Sequence, residues 1–260
     1  MNIQVYLVAG WNGGTGRSLT AALLAFGLHL LGRRTVLVRQ IHNDIRPVFD
    51  PIAMTLPLPC RDLLLPDRYI LPPDLSAEAA ATVHESDRRF ADALRDLVTT
   101  EFGTDGDAVV DLCSHDRALN LATMQGATLI LVPARASILE IDWAARGVAH
   151  IIELQRCRDV LVPALVAAIG PDDGRAQRTY RLQELIADYV ADLNLEPTQH
   201  GAIIDAPFLD DRCLVNLMSQ YEIWQNPDLQ ARCLDFTTAA LAHALQSRMT
   251  ECSIAEEATC

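Results

Sequence analysis

A short glycine-rich segment carries the strongest chemical signal in this sequence of 260 residues. The segment reads Trp11-Asn12-Gly13-Gly14-Thr15-Gly16-Arg17-Ser18. It follows a run of apolar and β-branched residues and precedes a mostly apolar stretch of helical length, so it connects a predicted strand to a predicted helix. Glycines at such a connection let backbone N–H groups surround phosphate oxygens, and the helix dipole favours the same anions. We therefore predict a phosphate-binding loop in which the Ser18 hydroxyl binds Mg²⁺.

Strands and helices that could position this loop alternate along the chain. The predicted strands are apolar runs at 3–9, 35–38, 108–112, 127–132, 161–169 and 202–204. The predicted helices lie at 18–31, 86–100, 116–124, 138–154, 176–193, 211–221 and 228–246. Strands that are apolar throughout and separated by helices are typical of a parallel sheet buried on both faces. The pattern predicts an α/β fold with a mostly parallel sheet and helices on both faces.

Two segments depart from this alternation. Residues 43–76 hold seven of the chain's 13 prolines, which excludes long helices there and predicts irregular structure with short turns. Residues 248–260 form a polar tail that we expect to be frayed. We expect residues 1–247 to form a single domain that carries the proline-rich segment as an insert.

Composition limits the classes of function. Half of the residues are hydrophobic and the formal net charge is −13, which indicates a globular protein whose surface as a whole does not attract nucleic acid or anionic membranes. All 21 basic residues are arginines, so chemistry that needs a lysine amine is excluded. The seven cysteines contain no C-x-x-C pair, and no apolar run is long enough for a transmembrane segment. We therefore expect a cytoplasmic protein with reduced thiols.

The glycine loop resembles the deviant Walker A motif of the ParA/MinD family of ATPases, K-G-G-x-G-K-[ST]. The glycines and Ser18 match the motif in full. Both lysines of the motif are replaced, because Asn12 stands where the family has its signature lysine and Arg17 where it has the P-loop lysine. The chain therefore resembles a degenerate member of the family.

The similarity extends beyond the loop. Residues 107–111 resemble the Walker B strand, with Asp111 in the place of the aspartate that orders the Mg²⁺ shell. Residues 127–142 resemble the family's next strand and the turn into the helix after it. Residues 202–225 resemble the C-terminal stretch that flanks the adenine pocket, which places Pro207 near the base. These segments occur in the family's order, so the resemblance spans most of the chain outside the insert.

The resemblance implies a P-loop NTPase-like fold that binds ATP or ADP together with Mg²⁺. The residues it assigns to the nucleotide are Asn12, Gly13, Gly14, Thr15, Gly16, Arg17, Ser18 and Pro207. It assigns Ser18 and Asp111 to the metal. It also implies a homodimer across the nucleotide face and work through a partner protein in the positioning, partitioning or assembly of a cargo or complex.

Three departures from the family pattern concern hydrolysis. Asn12 lacks the charge with which the signature lysine reaches the phosphates of the other subunit. Arg17 keeps the charge of the P-loop lysine but is bulkier and planar. The run that begins at Gln40 lacks the carboxylate that in the family helps to position the attacking water. Because loss of a transition-state cation costs about 10³–10⁵ in rate, we predict weak or absent ATP hydrolysis and assign no catalytic residue.

Two other functions stay open. One is a pseudo-ATPase that serves as a structural or regulatory subunit of a secretion, conjugation or cellulose-synthesis complex. The other is a DNA-binding partition ATPase that contacts nonspecific DNA through three arginines at the start of one helix, Arg175, Arg178 and Arg181. The negative net charge favours instead a solvated face paired with the acidic residues Asp172, Asp173 and Glu184. A metal site at His42, Asp111 and His115 is likewise less favoured than solvated histidines.

Overall fold

The computed structural model describes residues 2–10, 16–42, 55–65, 77–112, 121–155, 162–171, 173–193, 201–210 and 221–257. Within these ranges the strands are β1 (Asn2–Val8), β2 (Thr35–His42), β3 (Cys60–Leu65), β4 (Asp105–Asp111), β5 (Leu129–Arg135), β6 (Ala164–Ile169) and β7 (Ala202–Ala206). The helices are α1 (Arg17–Leu30), α2 (Ala77–Phe102), α3 (Leu121–Gln125), α4 (Ile138–Leu154), α5 (Arg175–Asp192) and α6 (Pro227–Glu257). A 3₁₀ turn at Tyr221–Gln225 precedes the last helix.

These strands form one seven-stranded sheet in the order β3-β2-β4-β1-β5-β6-β7. Every neighbouring pair is parallel, so β1 lies at the centre between β4 and β5. Because all strands run in the same direction, their carboxyl ends meet at one edge of the sheet, which we call the carboxyl edge. The predicted α/β fold is confirmed, and among the described residues the sheet is parallel throughout rather than mostly parallel.

Helices cover both faces of the sheet. The helices α2, α4 and α5 pack on one face, and α1 and α6 pack on the other. Successive residues of β1 serve the two cores in turn, since Leu7 belongs to the first core and Tyr6 and Val8 to the second. Helix α1 is buried from Thr20 to Leu28, which explains why its sequence is apolar on nearly all sides.

Helices α1 and α6 approach each other closely at Gly27. A Cβ atom at Gly27 would lie 2.0 Å from Oγ1 of Thr237 and 2.6 Å from the carbonyl oxygen of Cys233. A larger residue would therefore force the two helices apart. Beside this contact, the rings of Phe26 and Trp224 meet edge to face with their centroids 4.8 Å apart. The helix that follows the glycine loop is thus held between the sheet and the last helix.

An ion pair braces β4 at the opposite edge of the sheet, where the strand begins. Asp107 is 2% exposed, and its carboxylate accepts hydrogen bonds from Nε of Arg33 and, at 2.7 Å, from Nη2. Arg33 lies between α1 and β2, so the pair ties this connection to the neighbouring strand. Burial raises the pKa of the Asp107 carboxyl above its ordinary value, and the Arg33 guanidinium opposes part of that rise.

One strand lies where the sequence predicts irregular structure. Strand β3 falls inside the proline-rich segment at 43–76 and pairs with β2. The prediction of turns throughout this segment is wrong here, because the stretch between Pro59 and Pro66 is free of proline and long enough for a short strand. As an edge strand, β3 needs hydrogen bonds on one side only, which prolines beyond its ends do not disturb.

The last helix is longer than the sequence predicts. Helix α6 continues to Glu257, through residues predicted to be a frayed polar tail. The chain contains no glycine or proline after Pro227, so it lacks the residue types that most often end a helix. The helix predicted at 211–221 lies outside the described residues except for Tyr221, which begins the 3₁₀ turn. None of the helices in the described ranges is long and apolar enough to cross a bilayer.

Candidate functional site

The end of the glycine loop lies at the carboxyl edge, where α1 begins. Residues Asn12 to Thr15 lie outside the described part of the chain, so the position of Asn12, Gly13, Gly14 and Thr15 is not given. Gly16 caps α1 with a φ of 88°, a left-handed conformation that glycine adopts without strain. A Cβ atom there would lie 2.8 Å from Cδ1 of Ile169, the last residue of β6. Both the conformation and the close approach of β6 therefore require glycine at this position.

The Arg17 side chain turns back from α1 towards the sheet. Its Nη1 donates to the carbonyl oxygen of Gly10 at 3.2 Å and to that of Leu112 at 2.5 Å. These two carbonyls follow the carboxyl ends of the neighbouring strands β1 and β4. Nε and Nη2 donate to no atom of the described residues. Arg17 thus braces the start of α1 against two strands with one nitrogen.

Ser18 and Asp111 are the residues that the sequence assigns to Mg²⁺. Ser18 is exposed in the first turn of α1, and Asp111 is the half-buried last residue of β4, opposite Val8. A hydroxyl and a carboxylate at the carboxyl edge suit Mg²⁺, which keeps several waters and takes phosphate oxygens as further ligands. The described residues contain no cluster of three or more His, Cys, Asp or Glu side chains that could hold a metal alone. The residue types therefore fit a metal that arrives with a phosphate ligand.

Gln40, which the sequence resemblance compares with a carboxylate of the ParA/MinD family, is a buried amide. Gln40 lies inside β2 and is 2% exposed. An amide can donate and accept hydrogen bonds, but it cannot take a proton from water as a carboxylate can. The proposed metal site with His42 and His115 cannot be placed, because His115 and the His42 side chain are outside the described residues.

A cavity of about 390 Å³ opens at the carboxyl edge beside β6 and β7, which we call the side cavity. Its lining includes Gly170, Pro171, Pro207, Phe208, Arg178 and Arg232. Pro207, which the sequence assigns to the base, is buried just after β7. Ile169 approaches Gly16, and the next residue lines the side cavity, so the described end of the glycine loop lies near this cavity.

The three arginines at the start of α5 are engaged by groups of this chain. Arg175 forms an ion pair with Asp205, and Nη1 of Arg181 lies 3.3 Å from a Glu184 oxygen. Arg178 donates to two backbone carbonyls, those of Pro171 at 2.5 Å and Asp173 at 2.9 Å. Of the predicted acidic partners, Glu184 is confirmed, Asp173 contributes its carbonyl rather than its carboxylate, and Asp172 lies outside the described residues.

Sequence reasoning did not recognise the arginines that line the side cavity. It assigned Arg178 to a DNA surface or a solvated face and did not single out Arg232, whose Nη1 donates to the carbonyl oxygen of Phe208 at 3.1 Å. The Arg232 contact joins residues that are 24 positions apart, so no local pattern predicts it. The available signal was the pair Gly170-Pro171, which directly follows a buried strand and marks a ligand-type loop at the carboxyl edge.

A parallel sheet with a glycine loop between its central strand and the first helix defines the class of this protein. This arrangement is the P-loop NTPase-like α/β fold. The sequence matches no protein-family model and no curated protein. Solved structures similar to it span nearly the whole chain and identify the fold more closely.

These structures are members of one group of ATPases. A ParA family ATPase from Chlorobium tepidum TLS has a TM-score of 0.59 at 12% identity, and the match covers 91% of this chain and 98% of that one. An ATP complex of an McdA variant from Cyanothece has a TM-score of 0.56 at 14% identity, covering 93% and 97%. The MinC:MinD cell division protein complex from Aquifex aeolicus has a TM-score of 0.56 at 14% identity, covering 92% and 96%. This chain therefore has the ParA/MinD-like fold, as its glycine loop predicts.

Proposed function

We propose that this protein binds ATP or ADP with Mg²⁺ at the glycine loop and hydrolyses ATP weakly or not at all. The observation that carries the proposal is the arrangement of Arg17. One nitrogen of its guanidinium is held by the carbonyls of Gly10 and Leu112, while Nε and Nη2 have no acceptor among the described residues and would donate to phosphate oxygens. A planar cation held in this way at a helix N-terminus suits phosphate binding.

The residues that would hold the ligand have separate tasks. The Ser18 hydroxyl would bind Mg²⁺, and Asp111 would orient water molecules of its shell. Arg17 and the N–H groups at the start of α1 would bind phosphate oxygens. When bound, Mg²⁺ neutralises part of the phosphate charge. Pro207 would lie near the base.

Slow hydrolysis follows from two side chains that lack the required charge. Gln40 is a buried amide where the family has a carboxylate that helps to position water. Asn12 is neutral where the family has the cation that reaches the other subunit. Each loss removes a contact that stabilises the transition state more than the bound ATP, so it lowers the rate more than the affinity.

In the cell we propose a homodimer in the cytoplasm that acts through a partner protein in positioning, partitioning or assembly. The MinC:MinD complex, in which a protein of this fold is bound to a partner, supports this role by similarity. DNA binding is less favoured, because all three arginines at the start of α5 are engaged within the chain.

A second candidate function is a pseudo-ATPase that binds no nucleotide and serves as a structural subunit of a larger complex. The same arginine favours it, because hydrogen bonds from Arg17 to two strand ends brace the loop without any phosphate. The two candidates therefore differ in what Nε and Nη2 of Arg17 do.

Calorimetric titration of the purified full chain with ATP and ADP, with and without Mg²⁺, separates these candidates. We expect saturable binding of both nucleotides, tighter with Mg²⁺, together with phosphate release at or near the background rate. Arg181→Ala, which changes an exposed arginine on α5, is the matched control for Arg17→Ala and should bind as the unaltered protein does. Absence of binding at millimolar nucleotide would overturn the proposal in favour of the structural subunit. Rapid phosphate release would overturn the weak-hydrolysis part alone.

A further inference from the structure

We propose that a cavity between α2 and α3 is a binding site for a small amphiphilic anion, a ligand with one acidic group and an apolar body. We call it the face cavity, and its volume is about 510 Å³. It lies on the face of the sheet that α2, α4 and α5 cover, whereas the glycine loop leads into α1 on the opposite face. The face cavity is therefore separate from the proposed nucleotide site.

The floor of the face cavity is apolar surface at the centre of the sheet. Ile3 and Val5 of β1 line it and are only half-buried, although the same strand is fully buried from Tyr6 to Val8. Helix α3 has five residues and contributes the small side chain of Ala122, so it leaves this part of β1 uncovered. The centre of a parallel sheet is normally covered on both faces, and burial of the exposed floor would favour a ligand with an apolar body.

A buried carboxylate ties the two helical walls of the face cavity together. Asp87 of α2 is 0% exposed, and one of its oxygens accepts a hydrogen bond from the Ala122 N–H of α3. The other oxygen accepts from the Thr123 hydroxyl at 2.7 Å and from the Thr123 N–H at 3.3 Å. Because a buried carboxylate without donors is costly, these bonds hold α3 against α2. The face cavity is thus formed without a ligand, and its volume lies in the usual range of small-molecule sites.

The exposed rim of the face cavity carries one more positive than negative charge. Arg88, Asp92 and Arg95 lie on one side of α2 and belong to the lining. Nη1 of Arg95 donates to Asp92 at 2.9 Å, so these two charges compensate each other. Arg88 pairs through Nη2 with Glu85, which is not among the described lining residues, and its Nε and Nη1 have no acceptor in the described part of the chain. An exposed pair of this kind is weak, so the acidic group of a ligand can accept hydrogen bonds from Arg88.

Two fluorescent probes test the site in the full chain. Anilinonaphthalene sulfonate is an amphiphilic anion, and phenylnaphthylamine has the same aromatic body without the charge. Both report apolar surroundings by an increase in fluorescence. We expect saturable binding of the anion, and we expect decanoate to displace it more effectively than decanol, which has the same chain length and no charge.

Three variants change the face cavity in different ways. Ala91→Trp fills the space between Arg88 and Arg95 and should abolish saturable binding of both probes. Arg88→Leu should weaken binding of the anion about threefold to fivefold and leave that of the neutral probe within about twofold. Asp92→Asn should strengthen binding of the anion about twofold, because it removes a negative charge from the rim.

The matched control is Arg89→Leu. The Arg89 side chain is 67% exposed, as is that of Arg88, and it pairs with the same Glu85. Arg89 does not belong to the described lining, so its loss should leave both probes bound as in the unaltered protein. Thermal melting checks that each variant folds.

Three results would overturn the proposal. The first is an unaltered protein that binds neither probe saturably. The second is an Arg88→Leu protein that binds the anion no more weakly than Arg89→Leu, because any effect would then come from general surface charge. The third is full binding of both probes by Ala91→Trp, which would place them elsewhere on the molecule. None of these results changes what is expected from titration with ATP, so the proposed function would stand.

Discussion

Strand β4 is braced by an arginine at each end, and the two arginines are used in opposite ways. At the amino end, Arg33 gives Nε and Nη2 to the buried carboxylate of Asp107. At the carboxyl edge, Arg17 donates from Nη1 to two backbone carbonyls, and these are its partners among the described residues. The first contact neutralises a charge that the fold has buried. The second gives the guanidinium no carboxylate partner among the described residues.

In this protein without lysine, arginine is the residue type that has to meet both needs. We expect Arg33 to stabilise the fold and Arg17 to bind a ligand. A carboxylate partner satisfies the charge of an arginine, whereas carbonyl partners fix its position and leave its charge to act on a ligand. The Arg33 pair should therefore matter for folding and the Arg17 contact for nucleotide binding. Substitutions at the two ends of β4 test this division.

The largest expected effect on stability comes from Arg33→Leu. This change leaves Asp107, whose side chain is 3% exposed, as a buried carboxylate without its cation. Removing one partner of a buried pair costs about 3–5 kcal/mol. We expect about 3 kcal/mol, because the Arg33 side chain is 37% exposed and water can reach the site. Urea denaturation measures the loss in the free energy of unfolding.

The matched control is Arg34→Leu. Arg34 donates to the backbone carbonyl of Asp105 and lies 5.9 Å from the ring centroid of Phe102, both on the exposed side of the same region. Its loss should cost less than about 1 kcal/mol. If Arg33→Leu is no more destabilising than Arg34→Leu, the ion pair does not hold the amino end of β4.

For Arg17→Ala we expect a small loss of stability and a large loss of affinity for nucleotide, the opposite of what we expect for Arg33→Leu. Arg17 makes two part-buried hydrogen bonds to backbone carbonyls within the described residues, so stability should fall by only about 1 kcal/mol. Affinity for ATP and for tripolyphosphate should fall about tenfold to a hundredfold, because a charge-assisted phosphate contact is lost. Calorimetry and urea denaturation on the same samples measure both quantities. A large stability loss with unchanged affinity would make Arg17 a purely structural residue, like Arg33.

Much of the fold could be predicted from the sequence, because its helices and strands follow from patterns of neighbouring residues. The sequence predicts helix α4 at its observed bounds, Ile138–Leu154. In the structure Ser137 caps this helix by accepting a hydrogen bond from the Glu140 N–H. The glycine loop and the alternation of strands and helices are local in the same sense. Their agreement with the ParA/MinD-like fold is therefore a consequence of short-range chemistry.

What could not be predicted depends on contacts between distant parts of the chain. Strand β3 forms because the edge of β2 is free to receive it, and the prolines around it hide this from a local pattern. Arg33 and Asp107 are 74 residues apart. The hydrogen bond from Arg232 to the Phe208 carbonyl likewise joins residues that are 24 positions apart. Site roles that rest on such contacts are visible only in three dimensions.

A smaller effect is expected when the family's two lysines are restored in the loop by Asn12→Lys together with Arg17→Lys. The one added cation, at position 12, should raise ATP hydrolysis by about tenfold or more if missing charge limits the rate. The single change Arg17→Lys serves as the control, because it preserves the charge and restores only the residue type. Phosphate release under saturating ATP and Mg²⁺ measures the rate. No rise in the double variant would identify the missing carboxylate at Gln40 as the limiting loss.

The smallest expected effect is on the pH dependence of the free energy of unfolding, which tests the ion pair at the amino end of β4. Burial raises the pKa of Asp107 in the folded protein above its ordinary value of 3.8, so the folded state binds this proton more tightly than the unfolded state. The contribution of Asp107 to the free energy of unfolding is therefore greatest below pH 3.8 and declines as the pH rises from there through the raised pKa. In Arg33→Leu the opposing effect of the guanidinium is gone, so the decline should be larger and reach higher pH.

Urea denaturation across this pH range, compared with Asp107→Asn, isolates the contribution of this one carboxyl. The Asp107→Asn protein should lack the decline, because an amide does not titrate. Equal pH profiles for the unaltered protein and Arg33→Leu would mean that the guanidinium does not interact with the carboxylate. Arg33 would then stabilise β4 by packing alone. The two arginines would differ in whether they bind a ligand, and the difference between a carboxylate partner and carbonyl partners would not matter.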